Sequence, residues 1–183
     1  QSFMLLIHDE PDLVDALLDF YLEYDLRLIE AFRGLPFDFW YLGDDVTGMM
    51  GRSHLERLWK PRQSRIVRAM KASGKPILMH CCGPVAEILP WVDEWEIEAL
   101  HPIQPVVNDI AAIRRAHPKL TLVGNLDINL LSTAQPRAVR AEADALLSGL
   151  RGDGGYVLCS SHSIIDSVEP ENFLAMARAA WES

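Results

Sequence analysis

A histidine and a cysteine stand two positions apart in the segment His80-Cys81-Cys82-Gly83. Side chains two residues apart in an extended strand point to the same side, so His80 and Cys82 can reach one shared atom. Imidazole and thiolate are both good zinc ligands, and zinc keeps the thiolate deprotonated. The spacing therefore indicates a metal site, although a hydrogen-bonded core histidine beside a small buried cysteine would show the same pattern.

A catalytic zinc ion usually has three protein ligands and one open position, so a third ligand is expected from another strand. His162 and Cys159 are the candidates. Cys159 falls inside a predicted strand, where its side chain can be directed into the packing of the sheet, whereas His162 follows that strand. We therefore predict His162 as the third ligand and keep Cys159 as its rival.

Two adjacent acidic residues, Asp44 and Asp45, follow an earlier predicted strand. Close carboxylates can bind a substrate, transfer a proton or support a metal, and we predict such a catalytic role for this pair. The alternative is a hydrated loop in which one of the two residues caps a helix.

Polar side chains also follow two further predicted strands. His101 and Gln104 are predicted to line the pocket and contact a cofactor or substrate, although a rigid turn would also explain the prolines around them. Asn125 and Asp127 either orient a cofactor or substrate or cap the next helix, and the capping role is slightly favoured.

Strands and helices alternate along the chain, according to the apolar periodicity and the positions of Gly and Pro. The predicted helices span residues 11–33, 54–73, 85–95, 107–116, 136–150 and 170–181, and Pro61 is expected to kink or break the second. The predicted strands span residues 37–42, 76–80, 97–100, 120–123 and 156–159. Because parallel neighbours need crossover connections of this length, the alternation predicts a parallel sheet and an α/β fold. The polar residues follow the strands, and that end of a (β/α) barrel carries the active site.

Length and composition bound the class of protein. The chain has 183 residues, of which 49% are hydrophobic, and this is enough for a single domain over residues 1–183. Its net charge of −9 argues against a nucleic-acid partner. The sequence has no long apolar window and no signal-peptide pattern at its start, so we expect no membrane partner and a cytoplasmic location. The three cysteines, two of them adjacent, form a poor disulfide framework and suit metal binding or catalysis better.

Seven segments that cover nearly the whole chain occur in an order typical of one enzyme superfamily. They are Gly43-Asp44-Asp45, Trp59-Lys60-Pro61-Arg62, His80-Cys81-Cys82-Gly83, Leu100-His101-Pro102-Ile103-Gln104-Pro105, Gly124-Asn125-Leu126-Asp127, Gly154-Gly155-Tyr156-Val157-Leu158 followed by Ser161-His162, and Val168-Glu169-Pro170-Glu171-Asn172. Together they resemble the uroporphyrinogen decarboxylase superfamily. The resemblance implies a (β/α)8 TIM barrel of roughly twice this length, of which this chain is the C-terminal portion with about five βα units. Either the N-terminal strands of the barrel lie outside this sequence, or its open edge is covered by a partner, such as a second copy of the chain.

The resemblance is closer to one branch of the superfamily, the zinc-dependent methyltransferases. These enzymes move methyl groups between methoxylated or methylated compounds, corrinoids and thiols, and they carry a His-x-Cys zinc motif that His80 and Cys82 resemble. Their third zinc ligand is typically a cysteine at the end of the last strand, where this chain has His162. The resemblance therefore implies zinc as cofactor, a corrinoid or corrinoid protein as partner, and a small-molecule substrate.

Two alternatives remain open at this point. The first is a metal-free uroporphyrinogen decarboxylase, in which His162 and a carboxylate would position and protonate a pyrrole ring. That branch relies on N-terminal arginines and an aspartate that are not in this sequence. The second is a partial barrel that binds metal or a partner without catalytic turnover.

Overall fold

Helices and strands alternate along the chain, and the computed structural model gives their bounds for residues 2–152 and 154–182, which are the residues it describes. The helices are α1 (Ser2–Asp9), α2 (Pro11–Phe32), α3 (Arg52–His54), α4 (Lys60–Lys71), α5 (Leu89–Glu94), α6 (Ile110–Ala116), α7 (Ile128–Thr133), α8 (Pro136–Leu150) and α9 (Pro170–Trp181). A π-helical turn, Leu55–Trp59, joins α3 to α4, and a 3-10 turn, Val85–Glu87, precedes α5. The strands are β1 (Trp40–Gly43), β2 (Ile77–His80), β3 (Ala99–His101), β4 (Thr121–Leu126) and β5 (Tyr156–Ser160).

The strands of the described residues form one five-stranded sheet in the order β1-β2-β3-β4-β5. The pairs β2–β3, β3–β4 and β4–β5 are parallel. Sequential order in a parallel sheet requires a crossover after each strand, and helical segments supply it. The predicted α/β class with five βα units is confirmed.

The two faces of the sheet differ in burial. Side chains on one face are fully buried, and they include Ile77, Met79, Leu100, Leu122 and Leu126. Strand β2 alternates between buried and half-buried residues, so His80 lies on the opposite face from Met79. This alternation brings His80 onto a face where a ligand can reach it.

The described residues group into two compact units. The first comprises residues 1–40 and 50–77, and the second comprises residues 41–49 and 78–183. In the first unit, Ile7, Val14 and Leu58 form a buried apolar cluster between helical segments. Arg62 of α4 forms ion pairs with Asp15 at 2.9 Å and Asp19 at 2.8 Å in α2. Every candidate site residue belongs to the second unit, so the candidate site lies within that unit.

Helices α2, α8 and α9 lie where the sequence predicts them, and two others were not predicted. Helix α1 and helix α7 were missed, since both are short and neither carries enough turns for a clear apolar period. Pro61 does not break its helix; it lies at the start of α4, directly after the π-helical turn. Proline has no amide hydrogen to donate, and the wider π-helical turn before it makes room for the missing backbone hydrogen bond.

Strand ends differ from the prediction by a few residues, and one difference matters for the site. Strand β4 continues to Leu126 instead of ending at Val123, so Gly124 and Asn125 lie inside the strand. Strand β3 includes His101, which the prediction placed after the strand. Glycine and asparagine were taken as a strand end, whereas here they carry positive φ values of 113° and 76° within it.

A helix that spans a bilayer must be long and apolar, and this applies to every helix within the described ranges. None of them meets that requirement.

Candidate metal centre

His80 and Cys82 meet at the carboxyl end of β2, as their spacing predicts. The Nε2 atom of His80 lies 3.3 Å from the Sγ atom of Cys82. The chain bends at Gly83, which has a φ of 93°. A side chain at Gly83 would place its Cβ 2.8 Å from the carbonyl oxygen of Thr47, so the turn requires glycine. His80 and Cys82 both precede this turn, and their spacing of two residues directs both side chains to the same side.

Asp45 is the third member of this group. Its Oδ1 atom accepts a hydrogen bond from the Cys82 amide at 2.8 Å and lies 3.5 Å from His80 Nε2. The aspartate reaches this position because β1 and β2 are neighbours, and the Asp44 amide donates to the His80 carbonyl at 2.9 Å. Among the described residues, Asp45, His80 and Cys82 form a group of potential ligand atoms that all lie within 4.8 Å of one another.

The distances from His80 to the other two members of this group fit a zinc ion. Tetrahedral zinc has bonds of about 2.0 Å to nitrogen or oxygen and about 2.3 Å to sulfur, which puts neighbouring ligand atoms about 3.3–3.6 Å apart. The separations of 3.3 Å from His80 to Cys82 and 3.5 Å from His80 to Asp45 lie in that range. Nitrogen, sulfur and carboxylate oxygen are all accepted zinc donors. The Asp45 side chain is 57% exposed, so a further ligand can approach from solvent.

Hydrogen bonds from two neighbouring loops fix the backbone around Cys82. Thr47 donates its hydroxyl to the Cys82 carbonyl at 2.6 Å. On the other side, Gln104 Oε1 accepts from the Gly83 amide at 2.6 Å, and Asn108 Nδ2 donates to the Gly83 carbonyl at 3.0 Å. Thr47 and Asn108 were not singled out from the sequence, since their partners lie in other loops. Gln104, predicted to contact a cofactor, thus supports the turn that carries the cysteine.

Without a bound metal, the surroundings of Cys82 strongly favour its protonated thiol over the thiolate. Burial raises the pKa of Cys82 to about 11, and the negative charge of Asp45 adds to the rise. A bound cation would reverse this effect, because it stabilises the thiolate and neutralises the carboxylate. The arrangement is therefore unfavourable for a bare thiolate and favourable for a cation between sulfur and oxygen.

His101 lies beside His80 in the next strand. The two residues are register partners in the β2–β3 pair, and their Nδ1 atoms are 2.8 Å apart. Burial, with a smaller effect from His80, lowers the pKa of His101 to about 4. His101 is therefore a neutral imidazole near pH 7, able to accept one hydrogen bond and donate one.

His162 and Cys159, the predicted third ligand and its rival, lie outside the group of three. His162 is exposed, and its Nδ1 lies 3.2 Å from the Ser163 carbonyl oxygen. Cys159 is half-buried in β5, with its Sγ 3.8 Å from His101 Nε2. The structure thus offers Asp45 as a third ligand, and metal binding by His162 stays a prediction.

The remaining predicted site residues have structural contacts. Asn125 is buried and donates from Nδ2 to the Ile103 carbonyl at 2.8 Å, which holds the loop after His101. Asp127 caps α7 and accepts from the Asn129 amide at 2.9 Å. Asp127 thus has the predicted capping role, whereas Asn125 holds a loop instead of capping a helix. Cofactor binding by either residue stays a prediction.

Comparison with known proteins places these features in a family. A family model described as "Uroporphyrinogen decarboxylase (URO-D)" matches residues 1–183. A curated relative, "Methylcobamide:CoM methyltransferase MtbA" of Methanosarcina mazei, is 26% identical over 172 residues, which are 92% of this chain and 49% of that protein. A solved structure described as "methyltransferase from Methanosarcina mazei" superimposes with a TM-score of 0.79 at 23% identity, over 99% of this chain and 52% of that one. The chain thus spans about half the length of the relatives it matches, and the likeness in fold confirms the TIM-barrel type with five βα units present.

Proposed function

Because the chain belongs to the uroporphyrinogen decarboxylase (URO-D) family, we propose that it contributes a zinc site to an enzyme that transfers methyl groups. The observation that carries the proposal is the group formed by Asp45, His80 and Cys82, whose ligand atoms lie within 4.8 Å of one another. Metal-dependent methyl transfer explains why a nitrogen, a sulfur and a carboxylate converge at the strand ends.

The three side chains have distinct roles in this proposal. His80 and Cys82 hold the metal through Nε2 and Sγ, and Asp45 completes the set of protein ligands while its Oδ1 also accepts the Cys82 amide hydrogen. Zinc supplies Lewis acidity, which polarises an ether oxygen or lowers the pKa of a substrate thiol. Asp44, the residue directly before Asp45, is proposed to orient the substrate or accept its proton.

The methyl carrier is proposed to be a corrinoid, either free or on a corrinoid protein. The support is the similarity to a relative described as a methylcobamide:CoM methyltransferase. The other substrate is proposed to be a small thiol or a methoxylated compound. In the thiol reaction the methyl group moves from cobalt to sulfur, the thiol proton is released, and the cobalt keeps the electron pair of the broken bond.

A metal-free decarboxylase of a tetrapyrrole is the second candidate. The description of the matching family model favours it, and so does the exposure of His162, which is free to meet a large ring. This candidate gives no role to the close approach of Cys82 to His80. It predicts turnover of uroporphyrinogen that is indifferent to chelators.

The decisive experiment is elemental analysis of the purified chain after dialysis against metal-free buffer. We expect about one zinc ion per chain in the wild type and near-complete loss in Cys82→Ser, with Cys81→Ser as the matched control. Cys81 is buried and contacts the Thr47 hydroxyl at 3.4 Å, and it is not part of the group of three. Equal zinc in wild type and Cys82→Ser, or no zinc in either, would contradict the proposal.

Methyl transfer is tested separately from metal binding. Methylcobalamin and a thiol are incubated with zinc-loaded chain, and loss of the methyl–cobalt absorbance is followed. Turnover in the wild type and its loss in Cys82→Ser would support the proposed methyltransferase activity. Tight zinc binding without turnover would support a chain that binds metal but does not catalyse methyl transfer. Size-exclusion chromatography of the same samples tests the predicted homo-oligomer.

A further inference from the structure

His80 and His101 are held side by side by the sheet itself. They are register partners in adjacent parallel strands, so their side chains project from the same face. Their ring centroids are 4.9 Å apart with the planes inclined by 43°, and the Nδ1 atoms face each other at 2.8 Å. A separation this short between two ring nitrogens is a hydrogen bond.

The proton in this bond has two locations that differ in their chemical consequence. If His101 carries it, His80 Nδ1 is the acceptor and the proton of a neutral His80 sits on Nε2. If His80 carries it on Nδ1, its Nε2 keeps a free lone pair. That second nitrogen is the atom that lies 3.3 Å from Cys82 Sγ and 3.5 Å from Asp45 Oδ1. Metal binding by His80 therefore requires the second arrangement.

We propose that His101 is a positioning residue that accepts the Nδ1 hydrogen of His80 and thereby holds the His80 Nε2 lone pair open toward the metal. This inference rests on the proposed function and assigns His101 a role distinct from substrate contact. Histidines that bind metals commonly donate their second ring hydrogen to a carboxylate, carbonyl or water. Here a second imidazole occupies that place.

Cys159 extends the chain of contacts on the far side of His101. When His101 accepts at Nδ1, its own hydrogen is on Nε2, and that atom lies 3.8 Å from the Cys159 sulfur. Sulfur is a weak acceptor. The contact is consistent with hydrogen-bond donation in one direction, from His80 to His101 and from His101 to Cys159. The row runs from Cys82 through His80 and His101 to Cys159. Cys159, the rival metal ligand in the sequence, thus contacts His101.

Two substitutions separate hydrogen-bond acceptance from simple packing. Asparagine places its side-chain oxygen the same number of bonds from Cα as histidine places Nδ1, so His101→Asn keeps an acceptor opposite His80. His101→Leu fills the space without an acceptor. Zinc affinity is measured by competition with a chromophoric chelator, and thermal unfolding of each metal-free variant shows whether it is folded.

We expect His101→Leu to weaken zinc binding about 10- to 100-fold, as is typical when a supporting partner of a metal ligand is lost, and His101→Asn to stay within about threefold of wild type. Long-range proton–nitrogen NMR of the zinc-loaded wild type should show the His80 hydrogen on Nδ1, with His80→Gln used for assignment. Wild-type zinc affinity in folded His101→Leu would overturn the inference, as would equal losses in both variants. If the wild type itself binds no zinc, the proposed function fails as well, so the two failures are distinguishable.

Discussion

The Cys82 sulfur lies 3.3 Å from Nε2 of His80, which precedes it by two residues in the chain. Neither residue alone is informative, since buried histidines and cysteines are common in protein cores. Their approach, with the Asp45 carboxylate 3.5 Å from the same nitrogen, gives three donors around one point.

Substitution of Cys82 by serine should lower zinc affinity by more than about 100-fold, because a lost ligand costs more than a lost supporting partner. A serine hydroxyl is a poor replacement for a thiolate near neutral pH. The measurement is a competition titration with a chromophoric chelator. Cys81→Ser should change the zinc affinity by less than about threefold, since a side chain outside the ligand group affects the metal only indirectly.

The third ligand is identified by comparing Asp45→Asn, His162→Gln and Cys159→Ser in the same titration. We expect Asp45→Asn to reduce zinc affinity about 10- to 100-fold, because the amide keeps the acceptor for the Cys82 hydrogen but removes the charge. His162→Gln should have little effect. A large loss in His162→Gln with none in Asp45→Asn would restore the ligand set expected from the sequence.

The pairing of His80 with Cys82 could be predicted because it depends on local spacing alone. The parallel sheet could also be predicted, because the strands and the longer helices between them leave their own periodicity in the sequence. Asp45 was predicted as a carboxylate that could support a metal. Its distance from His80 could not be predicted, because that distance depends on how β1 is placed beside β2.

Contacts between strands account for what the sequence did not reveal. His101 was expected to line a pocket, but its 2.8 Å contact with His80 follows from their register, which no single strand encodes. The direction of the His162 side chain could not be predicted from the sequence either. The alternation of side chains gives their directions only within a strand, and His162 follows one. Helix α7 was missed for a different reason: its six residues are too few for a helical period.

Zinc affinity should rise with pH, because binding displaces a proton from the thiol. The pKa of Cys82 is raised to about 11 by burial and by Asp45, so the metal-free thiol is protonated throughout the neutral range. Each bound zinc then releases a proton from Cys82, and the apparent association constant should increase about tenfold per unit between about pH 7 and about pH 9. Calorimetry in buffers of different ionisation enthalpy counts the released protons. An affinity that is flat across this range would mean that the cysteine does not bind the metal as a thiolate.

Gly124→Ala should both destabilise the fold and disturb the candidate metal centre. A Cβ at this position would lie 2.2 Å from the Pro102 carbonyl oxygen, and the backbone φ is +113°. Strain and overpacking together should lower the free energy of unfolding by about 2–6 kcal/mol.

The matched control for this prediction is Gly149→Ala in α8, where a Cβ meets no atom within 4 Å. It should stabilise the protein by about 0.5–1 kcal/mol, because alanine loses less backbone entropy than glycine in a helix. Urea unfolding of both variants measures the two effects. The loop that Gly124 approaches begins at Pro102, directly after His101, and Asn125 holds it through the Ile103 carbonyl. Gly124→Ala should therefore also weaken zinc binding, whereas Gly149→Ala should not. Equal zinc affinity in the two folded variants would show that this loop does not position the metal centre.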